Sequence, residues 1–549
     1  MAWRKMIAAS LFTGTMAGSP TSFASDRQCG ESALIGKQPL SAAYVWENAE
    51  LRGVPPQGSL ARLENLAPAE TAFPFSMGVD IDRSLYIRDA ALLDAFSFAE
   101  VMDTLAAGLG ENSPSGIALF QDWWRTTAPA KPQYAGDIGC TDTLINGFSY
   151  TCPDDGSRSE SSLQKVSDLR TGRNGGPPFT IIALINRGDL ASNKLDGGTC
   201  GEYRIIAAAE TTPGDLTDDL ARLGASGKFY LSFEAALPNS KEGMCLAVQR
   251  FWKSLALKDD ENAKHMLRIF FLEKAGLTGE GTISSPPAPE ADFTFGPVMG
   301  PANLGMLPED AETLGTKITN PIGQIRTNTR STSPAWLLRQ YSFRKTSLGF
   351  RITPTALSST PPVQIMDSKF KCSIGGKNCD TLLAEEISTN RDGLTTNQIT
   401  ALSFTMSDNC LTAGQMVADS FRGDGYVAAL AASASANSRP VWETLKQLAN
   451  RTESSLIPMQ IAQNLQMTSC AGCHRHSTGN QIDHLVTMPG NIPINQADFP
   501  VNDFTHARIA CEKPGQNGHL CERYDISPLL RKVLLPWRAY VMEQTLLQR

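Results

Sequence analysis

An α+β fold is expected: a β-containing N-terminal and central region followed by a mainly helical C-terminal region. Three observations predict it. The apolar runs Phe179–Ile185, Tyr203–Ala209 and Lys228–Glu234 have the length and composition of strands. Helical spacing of apolar residues follows at Cys245–Leu257 and Asp259–Ala275, and returns in an amphipathic stretch at Pro528–Gln548. Between these textures lies Ser284-Ser-Pro-Pro-Ala-Pro289, which has linker composition.

In chain order, residues 1–24 have the form of a signal peptide. Arg4 and Lys5 are a basic start, Met6–Ala17 is uncharged and mostly small or apolar, and Ser22-Phe-Ala24 supplies the small residues a signal peptidase reads. The apolar run is too short to span a bilayer, and no later stretch approaches ~20 uncharged apolar residues. Export to the periplasm or beyond, without a transmembrane segment, is the expectation.

Residues 25–135 read as helical and loop-rich, with helical spacing over Ala90–Leu109 and a short aromatic helix at Ile117–Arg125. Trp123 and Trp124 in that helix are expected in the core. Residues 136–283 form the expected α+β domain, opening on polar loops over Gly136–Gly176. Residues 284–300 are read as a linker. Residues 301–394 are read as β-rich, with strands at Gly323–Thr327, Ala335–Phe343 and Phe350–Thr353. Residues 395–549 are read as the helical region, with helices at Gln415–Ala434 and Pro440–Ala449 before the C-terminal one. No internal repeat is visible.

The formal net charge is −7, and loss of Arg4 and Lys5 with the leader makes it −9. That is mild for the length and gives no basis for nucleic acid as a partner. All twelve cysteines, at 29, 140, 152, 200, 245, 372, 379, 410, 470, 473, 511 and 521, follow the leader. In an oxidising compartment they read first as disulfides, with Cys140/Cys152, Cys372/Cys379 and Cys511/Cys521 spaced for local loops. Cys200/Cys245 and Cys29/Cys410 complete one pairing among many. Setting aside Cys470 and Cys473 leaves ten, an even number.

Five of the six histidines, at 474, 476, 484, 506 and 519, fall within 46 residues. The same segment holds Cys470-Ala-Gly-Cys473-His474, the spacing of c-type haem attachment. Two thiols three residues apart reach two vinyl groups on one porphyrin edge, and the adjacent imidazole falls beneath the iron. One covalent haem c is therefore expected, bound by Cys470 and Cys473, with His474 as the proximal iron ligand. The same residues also admit a zinc site (Cys470, Cys473, His474, His484), a thiol–disulfide redox site or a plain disulfide. A zinc–thiolate site is less usual among oxidised thiols, and the segment ahead of the motif, Leu456–Met467, is helical or irregular rather than a thioredoxin-like strand.

For the sixth ligand, His484 is the first candidate, because ten extended residues reach ~33 Å and so round a haem edge. Met488 is the alternative and would raise the potential. His476 is too close to His474 to cross to the other face, while His506, His519 and an open position are further options.

Elsewhere, Asn186-Arg187-x-Asp189-Leu-Ala191, Cys200-Gly-Glu202-Tyr-Arg204, Phe233-Glu234-Ala-x-Leu-Pro238 and Gly323-Gln-Ile-Arg326-Thr-Asn328 resemble segments of an uncharacterised family of secreted bacterial proteins. That family tends to carry a C-x-x-C-H with a histidine ten positions on, here His474 and His484. The resemblance covers roughly residues 115 to 490 as scattered short motifs. It implies a composite architecture and export, and no activity.

Arg187, Asp189, Glu202, Arg204, Glu234 and Arg326 lie at or beside strand-like runs, so burial there demands pairing. An ion-pair network between strands is one reading; a pocket with Glu202 or Glu234 as acid or base is the other. No phosphate loop, nucleophile elbow, H-E-x-x-H or dinucleotide fingerprint is present. The sequence thus points to an exported c-type haem protein with a one-electron role, an unnamed redox partner and a large companion region of unassigned activity. A haem-dependent oxidoreductase is a variant of it. The rival readings are a disulfide-stabilised secreted binding or structural protein without haem, and a secreted hydrolase using Glu202 and Glu234.

Overall fold

The computed structural model describes residues 79–110, 113–125, 143–150, 179–192, 198–209, 229–314, 323–330, 336–357, 361–366, 372–396, 411–418, 426–433, 439–451, 456–470, 507–510, 523–526 and 530–547, apart from single interruptions and together with a few isolated positions. The predicted signal peptide and the Cys140/Cys152 and Cys511/Cys521 pairings lie outside these residues.

Mixed helix and antiparallel sheet is what the chain forms. The main sheet is a meander in which spatial order follows chain order. It comprises β1 (Tyr86–Ile87), β2 (Phe179–Arg187), β3 (Thr199–Ala209), β4 (Phe229–Pro238), β5 (Gln324–Arg330), β6 (Trp336–Thr346) and β7 (Gly349–Thr355), with β8 (Gln415–Ala418) also paired to β6. Side chains alternate between its two faces. Tyr203, Ile205 and Ala207 of β3, Leu231, Phe233 and Ala235 of β4, and Ile325 of β5 enter the large hydrophobic core. Their neighbours Glu202, Arg204, Ser232, Glu234, Gln324 and Arg326 point to the opposite face.

Four helices cover the core face: α1 (Phe98–Ala107), α2 (Gly116–Arg125), α3 (Met244–Ser254) and α4 (Asp260–Leu272). Phe98 of α1 lies 4.7 Å from the Phe179 ring, and Trp123 of α2 lies 5.4 Å from the Tyr341 ring. Trp252 of α3 stacks on Tyr203 at 5.8 Å, while Phe270 of α4 meets that tyrosine edge-on at 4.9 Å. Each such ring contributes about 1.5–3 kcal/mol by leaving water. Both tryptophans of the Trp123-Trp124 pair are buried, as expected.

The helical spacing at Ala90–Leu109 resolves into two helices, Ala90–Leu93 and α1. Ser97 separates them because it starts a capping box: its hydroxyl accepts from Glu100 N at 3.2 Å, and the Glu100 carboxylate accepts from Ser97 N at 3.0 Å.

At 284–300 the structure differs from the linker reading. Strands Ile283–Ser284 and Phe293–Phe295 flank Ala275–Leu277 in a small sheet. Ile283, Phe293, Val298 and Met299 are buried in the main core, so these apolar residues around the prolines hold the segment down. The strands before and after it, β4 and β5, are direct neighbours in one sheet.

The reading of Gln415–Ala434 as one helix is also corrected. Residues 415–418 are β8, which pairs with Trp336–Arg339, and α6 (Tyr426–Ser433) follows later. β7 pairs only from Gln340 onward, so β8 takes the remaining edge of β6 and satisfies its backbone groups.

A second hydrophobic core joins α5 (Cys379–Thr389), α6, α7 (Pro440–Arg451) and α8 (Pro458–Thr468). Leu383, Ile387, Leu445, Ile461 and Leu465 fill it. Asp380 accepts from Arg439 Nε at 3.1 Å, and Arg439 also donates to the Ile365 carbonyl at 2.9 Å. At the C-terminus a π-helical turn, Leu530–Leu534, leads into α9 (Leu535–Leu547), which packs on α3 and on Gly188–Leu190. Pro536 has no N–H to give the preceding turn, which accounts for the irregular start.

Candidate functional site

Two places answer to the chemistry expected from the sequence: the non-core face of the main sheet and the end of α8.

On the sheet, the register carries the charged side chains together. Arg204 of β3 is directly opposite Glu234 of β4, which is directly opposite Gln324 of β5. In the next row Ser232 faces Arg326, which faces Gln340 of β6. Glu202 precedes Arg204 on the same face, placed by a bulge between Thr199 and Glu202. Gly201 makes that bulge with φ +106°, and a Cβ there would lie 2.6 Å from the Arg187 carbonyl oxygen.

Arg204 pairs with Glu202 through Nε and Nη2, and its Nη1 lies 3.4 Å from Glu234 Oε1. Arg326 Nη1 lies 3.4 Å from Glu234 Oε2. Glu234 further accepts from Ser232 Oγ at 2.9 Å and from Gln324 Nε2. Both carboxylates are buried.

Their acidities move in opposite directions. Burial pushes the Glu202 carboxyl up, and the charge of Glu234 adds to that against the pull of Arg204. Burial also pushes Glu234 up, but Arg204, Arg326 and the hydrogen bonds from Gln324 and Ser232 more than reverse it. The surroundings therefore shift one carboxyl of the pair toward its protonated form and the other toward its ionised form.

At the end of β2, Arg187 grips Asp189 through Nε and Nη2, each 2.9 Å from a carboxylate oxygen. Arg538 of α9 approaches Asp189 at 3.8 Å. Burial pushes the Asp189 pKa up, and Arg187 and Arg538 together more than reverse it, holding the carboxyl below its ordinary value. All six charged residues singled out in the sequence thus stand on neighbouring strands or strand ends, joined in ion pairs. Arg538 was missed, since nothing local in the C-terminal helix marks its partner. Gln340 and Ser342 were missed too, although the alternating polar residues Gln324, Arg326 and Asn328 do signal a polar sheet face.

At the other place, α8 ends at Thr468 with Ser469 as its cap, and Cys470 follows, half-buried. Neighbouring Tyr426 is buried, and its phenol donates to the Pro361 carbonyl. Burial pushes that phenol's pKa up, and the charge of Cys470 adds to it. Cys470 belongs to neither of the described disulfides, which are Cys200–Cys245 and Cys372–Cys379, both as paired in the sequence reading. Cys473, His474, His484 and Met488, with His476, His506 and His519, lie outside the described residues. Of the C-x-x-C-H motif, Cys470 is the residue that lies among the described residues. Among the described residues, no group of three or more His, Cys, Asp and Glu side chains is gathered as metal ligands, and no helix is long and apolar enough to cross a membrane.

Comparison with family models, with curated proteins and with solved structures finds no match to the chain.

Proposed function

We propose that this is an exported protein with one c-type haem, bound through Cys470 and Cys473 and ligated by His474, that exchanges single electrons with a partner protein. The observation that carries the reading is the C-x-x-C-H sequence starting where α8 ends. The two disulfides support export, because such bonds persist in oxidising compartments. The leader-like first 24 residues and the resemblance to secreted C-x-x-C-H proteins point the same way. When bound, the group supplies a one-electron iron couple; the chain supplies two thiols, a proximal imidazole and, in this reading, His484 as the second axial ligand.

A spectroelectrochemical titration of the purified protein is expected to follow a one-electron Nernst curve, about 59 mV per tenfold change in ratio. His484→Met is expected to raise the midpoint, and Met488→Ala to leave the visible spectrum unchanged. Loss of the low-spin spectrum in Met488→Ala alone would transfer the ligand role to Met488. A protein with no titratable visible band contradicts the function.

A second reading has its own support. Glu202 and Glu234 share Arg204, with acidities shifted in opposite directions, which is the arrangement of an acid and a base in hydrolysis. In that reading Glu202 donates the proton and ionised Glu234 accepts one, and the haem motif is a separate matter.

A further inference from the structure

On the same sheet face, hydrogen-bonding capacity is left over. Four buried atoms on this face of β5 and β6 have no hydrogen-bond partner among the described residues: Gln324 Oε1, Arg326 Nε, Asn328 Oδ1 and Ser342 Oγ. Well over 90% of buried polar groups in folded proteins are satisfied, so four on two adjacent strands call for an occupant. They are contiguous. Gln324, Arg326 and Asn328 recur at every second residue of β5, about 7 Å apart. Ser342 stands beside Gln324, because Ile325 pairs with Tyr341 in the adjoining row.

The chemistry of each atom narrows the occupant. Among the described residues the contacts of Arg326 are long, at 3.4 Å to Glu234 and 3.5 Å to Gln340, and its Nε–H is unmatched, so it calls for an anionic acceptor. Gln324 is fixed in orientation because its amide nitrogen donates to Glu234. A flip would set its oxygen against the carboxylate, so Gln324 Oε1 needs a donor. Asn328 offers a second amide oxygen, and the Ser342 hydroxyl serves either way. Beyond Asn328 the face turns apolar, with Ile182, Ala208 and Tyr230 buried together.

We infer that this face of β5 and β6 binds a small hydroxylated carboxylate, with its carboxylate on Arg326 and its hydroxyls on the amide oxygens of Gln324 and Asn328. The site is independent of the C-x-x-C-H motif and of any haem there. It differs also from structural water alone, which would meet the same atoms without selecting for charge.

The test is calorimetric titration of the full-length mature protein with lactate, tartrate and gluconate, against butyrate (carboxylate alone) and sorbitol (hydroxyls alone), at matched ionic strength. At least one hydroxy acid is expected to bind tenfold or more tightly than both controls. Asn328→Ala and Ser342→Ala, which leave the ion pairs intact, are each expected to weaken that ligand about tenfold, one hydrogen bond's worth. Arg326→Gln is expected to erase the preference for the carboxylate over sorbitol. Equal or absent binding of all five compounds overturns the assignment, leaving ordered water as the occupant. So does selective binding that Asn328→Ala, Ser342→Ala and Arg326→Gln all leave unchanged.

Discussion

Glu234→Gln is expected to cost about 3–5 kcal/mol of folding stability, since removing one member of a buried ion cluster leaves its partners charged and uncompensated. Arg204 and Arg326 both face that carboxylate, and Ser232 and Gln324 donate to it. Glu202→Gln is expected to cost less, because burial already favours the neutral form of Glu202 and glutamine mimics it. The two respond oppositely to pH. A lowered folded-state pKa at Glu234 contributes stability above the unfolded carboxylate pKa, which is lost as pH falls through the folded value. The penalty of Glu234→Gln therefore shrinks in acid. At Glu202 the folded-state pKa is raised, so the contribution is full at low pH and lost as pH rises through the folded value. Glu202→Gln therefore gains on the native protein as pH rises. Urea denaturation at about pH 4 and about pH 7 separates the two. Equal penalties with the same pH trend would refute the division of roles.

Removing the Cys200–Cys245 disulfide, as Cys200→Ala with Cys245→Ala, is expected to cost about 4 kcal/mol from loop-closure entropy. The bond closes a sequence separation of 45 residues and ties the start of β3 to the start of α3. Cys200 is buried one residue before the Gly201 bulge that places Glu202, so the same bond steadies one end of the ion cluster. Denaturation of the native and double-alanine proteins, both kept oxidised, measures the effect. A loss below about 1 kcal/mol would show that packing of α3 on the sheet already fixes this end.

How legible all this was in the sequence depends on how local the cause is. The central strands declared themselves as β-branched and apolar runs, and the Cys200–Cys245 pairing flanked one of them. The Arg/Asp/Glu cluster was visible as charges beside strands, since buried charges must pair. Its geometry was not visible, because Arg204 meets Glu234 and Gln324 through a register fixed only when three separate strands pair. The same holds for Arg538, which reaches Asp189 from the far end of the chain. Residues 415–418 misled because their apolar character suits a helix as well as a strand, and the open edge of β6 decided the matter. The segment at 284–300 misled in the opposite way: its prolines suggested a linker, while Ile283 and Phe293 beside them carried the packing. Of the C-x-x-C-H candidates only Cys470 lies among the described residues, at the end of a helix over a segment that the sequence left as helical or irregular.

Covalent attachment at Cys470 and Cys473 decides the functional reading. The full chain, leader included, should be expressed in cells with a haem-maturation system, boiled in denaturant, separated on a gel and stained for haem peroxidase activity. A stained band at the mature mass is expected, and it disappears in Cys470→Ser with Cys473→Ser. A strong protein band that takes no haem stain would contradict the functional reading.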